Sequence, residues 1–428
     1  MSKDVGSKLI PSLVEPKNPV TKNPQYYVDP RRGGKPTTGD TVRMAAYYEQ
    51  AILHEPVREY SIVTTGKNFN IPRNSGNQIV FTKVYPIISA LNTTNQGLDQ
   101  TGKPNAGNFG GDSRDIKTLT GFMPTIPEDG GPVNRTGTMR DRLKANTVDM
   151  GIYMQQTFKT LDVDPDNVNN RLQAAFDQEL YRAVVELHAK SLLIDLLLAA
   201  GTVRYAGTAS SLEEINGDDE DTGSFITYRT LKGLSTALQN KNAKFTTKMV
   251  TGVALTDTKT IGQCYLAYAS TEVINILEDI KDNLGNPAWI PVEKYAAGAG
   301  STFENEVGKI GDFRVIRMKN MLMHEGVGAD ETDNTTGATA TNGKYDAHPF
   351  LVVPEDTFGQ VSILYDSLKG DTKTLSNGSK IVVKQSKLGE VTDSDPFGRT
   401  FTKSAQWVYG FLAIYAERIG VIWTAGVA

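Results

Sequence analysis

Two β-rich stretches, "NQIVFTKVYPI" (Asn77–Ile87) and "ANTVDMGIYM" (Ala145–Met154), bracket residues 88–144, a run dominated by Gly, Asn, Asp and Thr. Compact domains rarely hold structureless connections longer than about 12–15 residues. Two readings fit the interruption. The chain leaves its own body there and folds against a neighbour, or the run is a disordered surface loop, whose Gly and Asn content it shares. Val148, Met150, Ile152 and Met154 occupy alternate positions just beyond it, which predicts a strand with these four on one face.

A long helix is predicted next, over Asp162–Ala200. Asp164 is a suitable N-cap and Pro165 a suitable first helical residue. Leu172, Phe176, Leu180, Val184 and Leu187 form an apolar stripe, and Gly201 ends the helix. At ~1.5 Å per residue it runs roughly 50 Å, the scale of a scaffold rather than an active-site element. Its last part, Leu192–Ala200, is nearly all apolar and predicts burial on every side. Shorter helices are predicted at Thr41–His54, Tyr228–Gln239 and Ser270–Asp282. Strands are predicted within "GVALTDTKTIGQCYLAYAS", over Ile310–Met321, Pro349–Val353 and Ile381–Gln385, and along Ala405–Ile422. Gly326–Ala347 reads as a polar, mobile surface insert.

At 428 residues the chain is long for one core, so two or three cooperating subdomains are expected. A formal net charge of -4 gives no basic excess with which to grip nucleic acid. The single cysteine, Cys264, lies in an apolar run and reads as a buried structural thiol. The N-terminal segment lacks the pattern of a secretory signal. The longest apolar run, Leu192–Ala200, falls far short of the ~20 residues that span a bilayer. Residence in a cytoplasm until the chain joins something larger is the expectation.

Chemistry finds few residues. The four histidines, His54, His188, His324 and His348, are scattered, and none stands at ligand spacing from another. Gly337–Tyr345 is one residue too long for a phosphate-binding loop and has Tyr345 where a metal-binding hydroxyl belongs. Asp162–Asn167 starts like a calcium loop but lacks its glycine and its distal glutamate, and helix capping explains it. Asn216–Gly223 can collect a cation through Asp218, Asp219, Glu220 and Asp221, or be a solvated loop.

Four segments late in the chain carry a resemblance. They are "YLAYASTEVINILEDIKDN…WIPVEKYAAG"; "NEVGKIGDFRVIRMKNM" with Glu306, Gly308, Ile310, Gly311 and Arg317; "HPFLVVPEDTFGQVSI" with His348, Pro349, Phe358 and Gly359; and "SDPFGRTFTKSAQWVYGFLAIYAERIGVI" with Ser394, Asp395, Pro396, Gly398, Lys403, Ala405, Arg418 and Ile419. In this order they resemble the C-terminal part of the major capsid protein of tailed bacteriophages, in the N4-type short-tailed branch. The resemblance covers roughly Tyr265–Ala425 and is weak before that.

The resemblance implies an α+β, HK97-like capsid fold with an N-terminal arm, an extended hairpin loop, a long spine helix, and peripheral and axial domains. The arm would take residues 1–75, the extended loop and flanking strands 76–155, and the spine helix 156–200. The axial domain with its polar insert would take 201–347, and the returning peripheral strands 348–428. It implies no catalysis, no cofactor and no metal. Copies of the chain would form pentamers and hexamers of an icosahedral head, with scaffolding, portal and decoration proteins as partners. The shell would enclose double-stranded DNA without sequence-specific binding and without a membrane, assembled in the host cytoplasm and ending in the virion. Phe109, Leu119, Phe122, Met123 and Ile126 stand in polar surroundings and gain burial only against a neighbour, at about 1.5–3 kcal/mol for each side chain fully buried. Phe397 and Arg399, at the turn "SDPFGR", either face a partner or form an ordinary β-turn. An encapsulin-like nanocompartment shell is one alternative. A metal-dependent hydrolase using Asp218 or Glu220 is another, of a different class.

Overall fold

The alternating stretch around Met150 is the middle of an 18-residue strand, Arg140–Thr157, in a computed structural model of the chain. The structure describes residues 66–72, 75–87, 116, 128, 138–157, 171–219, 222–249, 259–295, 302–363, 371–375, 380–386, 391 and 395–427. The helix predicted at Thr41–His54, the cap at Asp164 and Pro165, and Phe109, Leu119, Phe122, Met123 and Ile126 lie outside them.

The strands in chain order are β1 (Lys67–Ile71), β2 (Gln78–Val84), β3 (Arg140–Thr157), β4 (Thr202–Tyr205), β5 (Tyr265–Ala269), β6 (Trp289–Pro291), β7 (Glu306–Ile310) and β8 (Phe313–Arg317). They continue with β9 (Ala340–Thr341), β10 (Lys344–Tyr345), β11 (His348–Val353), β12 (Phe358–Ile363), β13 (Asp371–Thr374), β14 (Lys380–Gln385), β15 (Thr400–Ala413) and β16 (Gly420–Thr424). The helices are α1 (Arg171–Ala199), α2 (Tyr228–Asn240) and α3 (Thr271–Asp279).

The first sheet runs β1-β12-β15-β14-β13, with β3 beside β15 and β2 beside β3. Strand β15 organises it, pairing antiparallel with β3 from Thr400 opposite Thr157 to Gly410 opposite Thr147. Alternate residues Phe401, Lys403, Ala405, Trp407 and Tyr409 of β15 are buried. Helix α1 covers this face with Leu180, Val184, His188, Leu192 and Leu196, a buried row at four-residue spacing, and Leu193 beside it. The row passes through His188 rather than the predicted Leu187, which is exposed. His188 lies edge-on to the Tyr409 ring, centroids 5.4 Å apart, and its Nε2 is 3.3 Å from Gln360 Oε1.

Burial of Leu192–Ala200 on every side is not observed. Ile194 is 47% and Leu198 80% exposed. A helix turns about 100° per residue, and the sheets cover only one side of α1, so these two emerge on the other. Val148, Met150, Ile152 and Met154 share one face of β3, as their alternation predicts. Val148, opposite Tyr409, is exposed, at the rim of the area that α1 covers.

The second sheet runs β4-β16-β11-β5-β8-β7-β6. Every residue of β5, β11 and β16 is buried, because both faces are covered. Leu266, Tyr268, Ile316, Leu351 and Val353 point into the core beneath α1. Tyr265, Ala267, Phe313, Phe350 and Val352 point the other way, onto α2 and α3. Helix α2 is capped by Thr227 and α3 by Ser270, and Leu231, Leu234 and Leu238 of α2 are buried as its pattern predicts. The single strand predicted over Ile310–Met321 is part of a hairpin. Gly311, at φ +54, makes the turn between β7 and β8, a conformation glycine adopts without a Cβ penalty. The chain from His348 onward contributes to both sheets, β11 and β16 to the second and β12 to β15 to the first.

Leu193 is fully buried, so Leu193→Ala is expected to destabilise the protein by about 2–5 kcal/mol in urea titration. Leu198→Ala, on the bare side of the same helix, is expected to shift stability by no more than about 0.5 kcal/mol.

Candidate functional site: assembly surfaces

Strands β2 and β3 pair from Gln78 opposite Asn146 to Val84 opposite Arg140, and the chain between them departs from this end. The result is a two-stranded ribbon projecting from the first sheet. Ile79, Phe81, Leu143 and Ala145 lie on its inner face, against Phe69, Ile71, Val361 and Leu412. The other face is bare. Val80, Val84 and Val148 are exposed there, and alternate positions Arg140, Arg142 and Lys144 place three cations in a row along it. The register sets Val80 opposite Lys144 and Val84 opposite Arg140, so apolar and cationic side chains alternate across the strands. This face is legible in the alternation of Val80, Thr82 and Val84 along β2.

Phe397 is 83% exposed, and Arg399 is exposed close by. A tight turn holds Phe397 outward. The Gly398 amide donates to Asp395 O at 3.1 Å, and Asp395 accepts from the amide and hydroxyl of Thr400, each at 2.6 Å. The Thr400 hydroxyl above all holds the Asp395 carboxyl below its ordinary pKa.

The polar insert is not a free loop. Its β9–β10 hairpin packs Tyr345 and Ala347 into the interior, and Asp218 of the Asn216–Gly223 segment pins it. The Asp218 carboxylate accepts from the Tyr345 hydroxyl, from Thr332 Oγ1 at 2.7 Å and from the amides of Thr332 and Asp333 at 3.2 Å. Its backbone oxygen accepts from Thr335 Oγ1 at 2.7 Å. These bonds, that from Tyr345 first, lower its pKa from 3.8 to about 2. Two segments distant in sequence are therefore one folded unit, and the carboxylate proposed for a cation closes it instead. Glu220 and Asp221 lie outside the described residues, and among the described residues no three His, Cys, Asp or Glu side chains gather at metal-binding distance.

Glu306 and Arg314 form a buried, bidentate ion pair at 2.5 and 2.7 Å, bridging β7 and β8. The Phe303 amide donates to Glu306 at 3.0 Å, and the guanidinium lies 4.8 Å from the Phe303 ring centroid. The motif residue Arg317 holds the hairpin differently, through its amide on Asn305 O. Arg314 was missed as Glu306's partner because only the turn at Gly311 brings the two together. Cys264 is fully buried, and burial raises its thiol pKa, as a structural role requires.

A long helix laid on one sheet, a second sheet buried on both faces and a projecting ribbon define a shell-forming subunit of the HK97-like capsid class. The fold is similar to the capsid structure of the cyanophage P-SCSP1u, at TM-score 0.51 and 12% identity over 94% of this chain and 99% of that one. No protein-family model matches the chain. The major capsid protein of Pseudomonas phage KPP21 is 34% identical over 404 residues, 94% of this chain and 97% of that protein. The chain belongs to the phage major capsid proteins, and its place is the capsid of the virion. Neither the nanocompartment nor the hydrolase reading gains support.

Asp218 is held below its unfolded pKa, so its bonds stabilise the insert above the ordinary carboxylate range, and that contribution is lost as pH falls from 3.8 towards about 2. Tyr345→Phe removes the leading donor to this carboxylate. It is expected to speed amide exchange across Gly326–Ala347 at neutral pH while leaving α1 unchanged, read by hydrogen–deuterium exchange.

Glu306→Ala strands the Arg314 charge in the interior and is expected to cost about 3–5 kcal/mol, measured by denaturant unfolding.

Proposed function

We propose that this chain builds an icosahedral phage head from pentamers and hexamers of itself, enclosing double-stranded DNA without reading its sequence. The observation that carries this reading is the ribbon. It leaves the body with a bare face of valines and cations, which a monomer exposes to water and a neighbouring copy can cover. The residues of 88–137 continue from its tip, and Phe109, Leu119, Phe122, Met123 and Ile126 would gain their burial on that neighbour. Phe397 and Arg399 would form a second, smaller contact, supported by the outward hold of their turn.

The division into arm (1–75), extended loop (76–155), spine helix (156–200), axial part (201–347) and returning strands (348–428) fits this role, with β11 and β16 serving the axial sheet. Affiliation with the N4-type branch, assembly in the host cytoplasm, scaffolding, portal and decoration partners, and the lack of any catalytic activity belong to the same proposal.

Negative-stain electron microscopy of the purified chain, with and without a crowding agent, tests it. Shells, tubes or five- and six-membered rings are the expected result. Val84→Asp, which buries a carboxylate in the contact, is expected to abolish them while the circular dichroism spectrum stays that of the parent. A small fixed oligomer under every condition, including co-expression with a scaffolding protein, overturns the reading.

A further inference from the structure

The ribbon meets the body through one more contact besides its apolar inner face. Lys83, near the outer end of β2, places Nζ 4.4 Å from the ring centroid of Tyr415 and 3.4 Å from the carbonyl oxygen of Ile414. The guanidinium of Arg418 lies 4.0 Å from the same ring. One aromatic ring therefore serves two cations, one from the ribbon and one from the body.

Both ends of this stack are tied down. The amides of Ile414 and Tyr415 donate to Thr357 O at 2.9 and 3.0 Å, which fixes the ring to the first sheet. Arg418 Nε donates to Lys241 O at 3.0 Å, at the C-terminal end of α2, which fixes the guanidinium to the layer on the second sheet. Lys83 also stands 5.4 Å from the Tyr85 ring, whose hydroxyl donates to Asp141 across the ribbon. Burial first, and then the carboxylates of Asp141 and Glu417, raise the Tyr85 phenol above its ordinary pKa.

We propose that Lys83, Tyr415 and Arg418 form the joint that sets the angle at which the β2–β3 ribbon leaves the body, and through it the curvature at which copies of this chain assemble. The joint rests on the assembly role proposed above. Its geometry is suited to the task because Lys83 stands near the outer end of the paired strands, where a contact with the body fixes the direction of the whole ribbon. The apolar inner face resists separation of ribbon and body but is non-directional, whereas a cation held over a ring face fixes direction. Tyr415 and Lys83 are positioning residues: neither needs to touch the neighbouring copy.

The test uses the full chain, spin-labelled at Val84→Cys on the ribbon and Val203→Cys on β4, both exposed positions, with fully buried Cys264 left unlabelled. Dipolar spectroscopy on the unassembled protein reads the distance between them. The parent and Tyr415→Phe, which keeps the ring, are expected to give one narrow distribution. Tyr415→Leu and Lys83→Met are expected to broaden it at least twofold at an unchanged melting temperature. In the unlabelled chain, the same two substitutions are expected to change particle diameter or yield tubes and open sheets, while Tyr415→Phe gives parental particles. Equal distance widths in all four proteins overturn the joint, as does a broadened ribbon with parental particle geometry. If the parent forms no particles but the distance result holds, the assembly reading fails while the joint's hold on the ribbon stands and its link to curvature falls.

Discussion

The seat of α1 on β15 is the contact on which the remaining architecture depends. Strand β15 gives one edge to β3 and another to β14, pairs β12 at its far end and turns its buried side chains to the helix. Two polar bonds fix how the helix lies. Lys403 Nζ donates to Asp177 at 2.7 Å near one end, and the Tyr409 hydroxyl donates to Asp195 near the other. The lysine is almost wholly covered and its partner is half exposed, so the pair keeps the charge solvated at one side only. Between these points the packing is apolar. The second sheet sends Leu266, Tyr268, Leu351 and Val353 into the same core, so one helix holds both sheets together.

The second sheet is closely packed, whereas the ribbon leaves one face open to water. Strands buried on both faces occupy the middle of the second sheet, and the buried pair Glu306–Arg314 ties its β7–β8 hairpin. Exposed apolar side chains are spread over the described residues, among them Val80, Val84 and Val148 on the ribbon, Ile194 and Leu198 on the outer side of α1, Tyr153 on β3, and Leu284 and Phe397 at turns. Single exposed apolar side chains are ordinary on protein surfaces. The valines of the ribbon are different because Val80, Thr82 and Val84 line one face of β2 opposite Lys144, Arg142 and Arg140. Closed shells form when many modest contacts repeat under symmetry.

Much of this fold was legible in advance, for local reasons. The periodicities of α1, α2 and α3 identify helices because their apolar residues fall on one side of a 3.6-residue turn. Thr227 and Ser270 cap two of them as short hydroxyl side chains do. The late motifs pointed to the capsid family, which the Pseudomonas phage relative bears out. The misses have a common cause. The apolar end of α1 predicts burial all round, yet Leu198 faces outward; composition records what a side chain is and not which neighbour stands over it. The polar residues of the insert predict a loop, and its order comes from Asp218, more than a hundred positions earlier.

The sequence by itself determined the described helices, most of the described strands and the family to which the chain belongs. These follow from local periodicity, turn chemistry and motif order, and each is written within a few tens of residues. The tertiary structure alone decided that His188 rather than Leu187 continues the covered row of α1, that Asp218 closes the insert, that Glu306 meets Arg314 and that Lys83 and Arg418 share the Tyr415 ring. Each depends on residues that only packing brings together, and β-sheet register and helix docking are settled by the fit of whole surfaces rather than by any local preference.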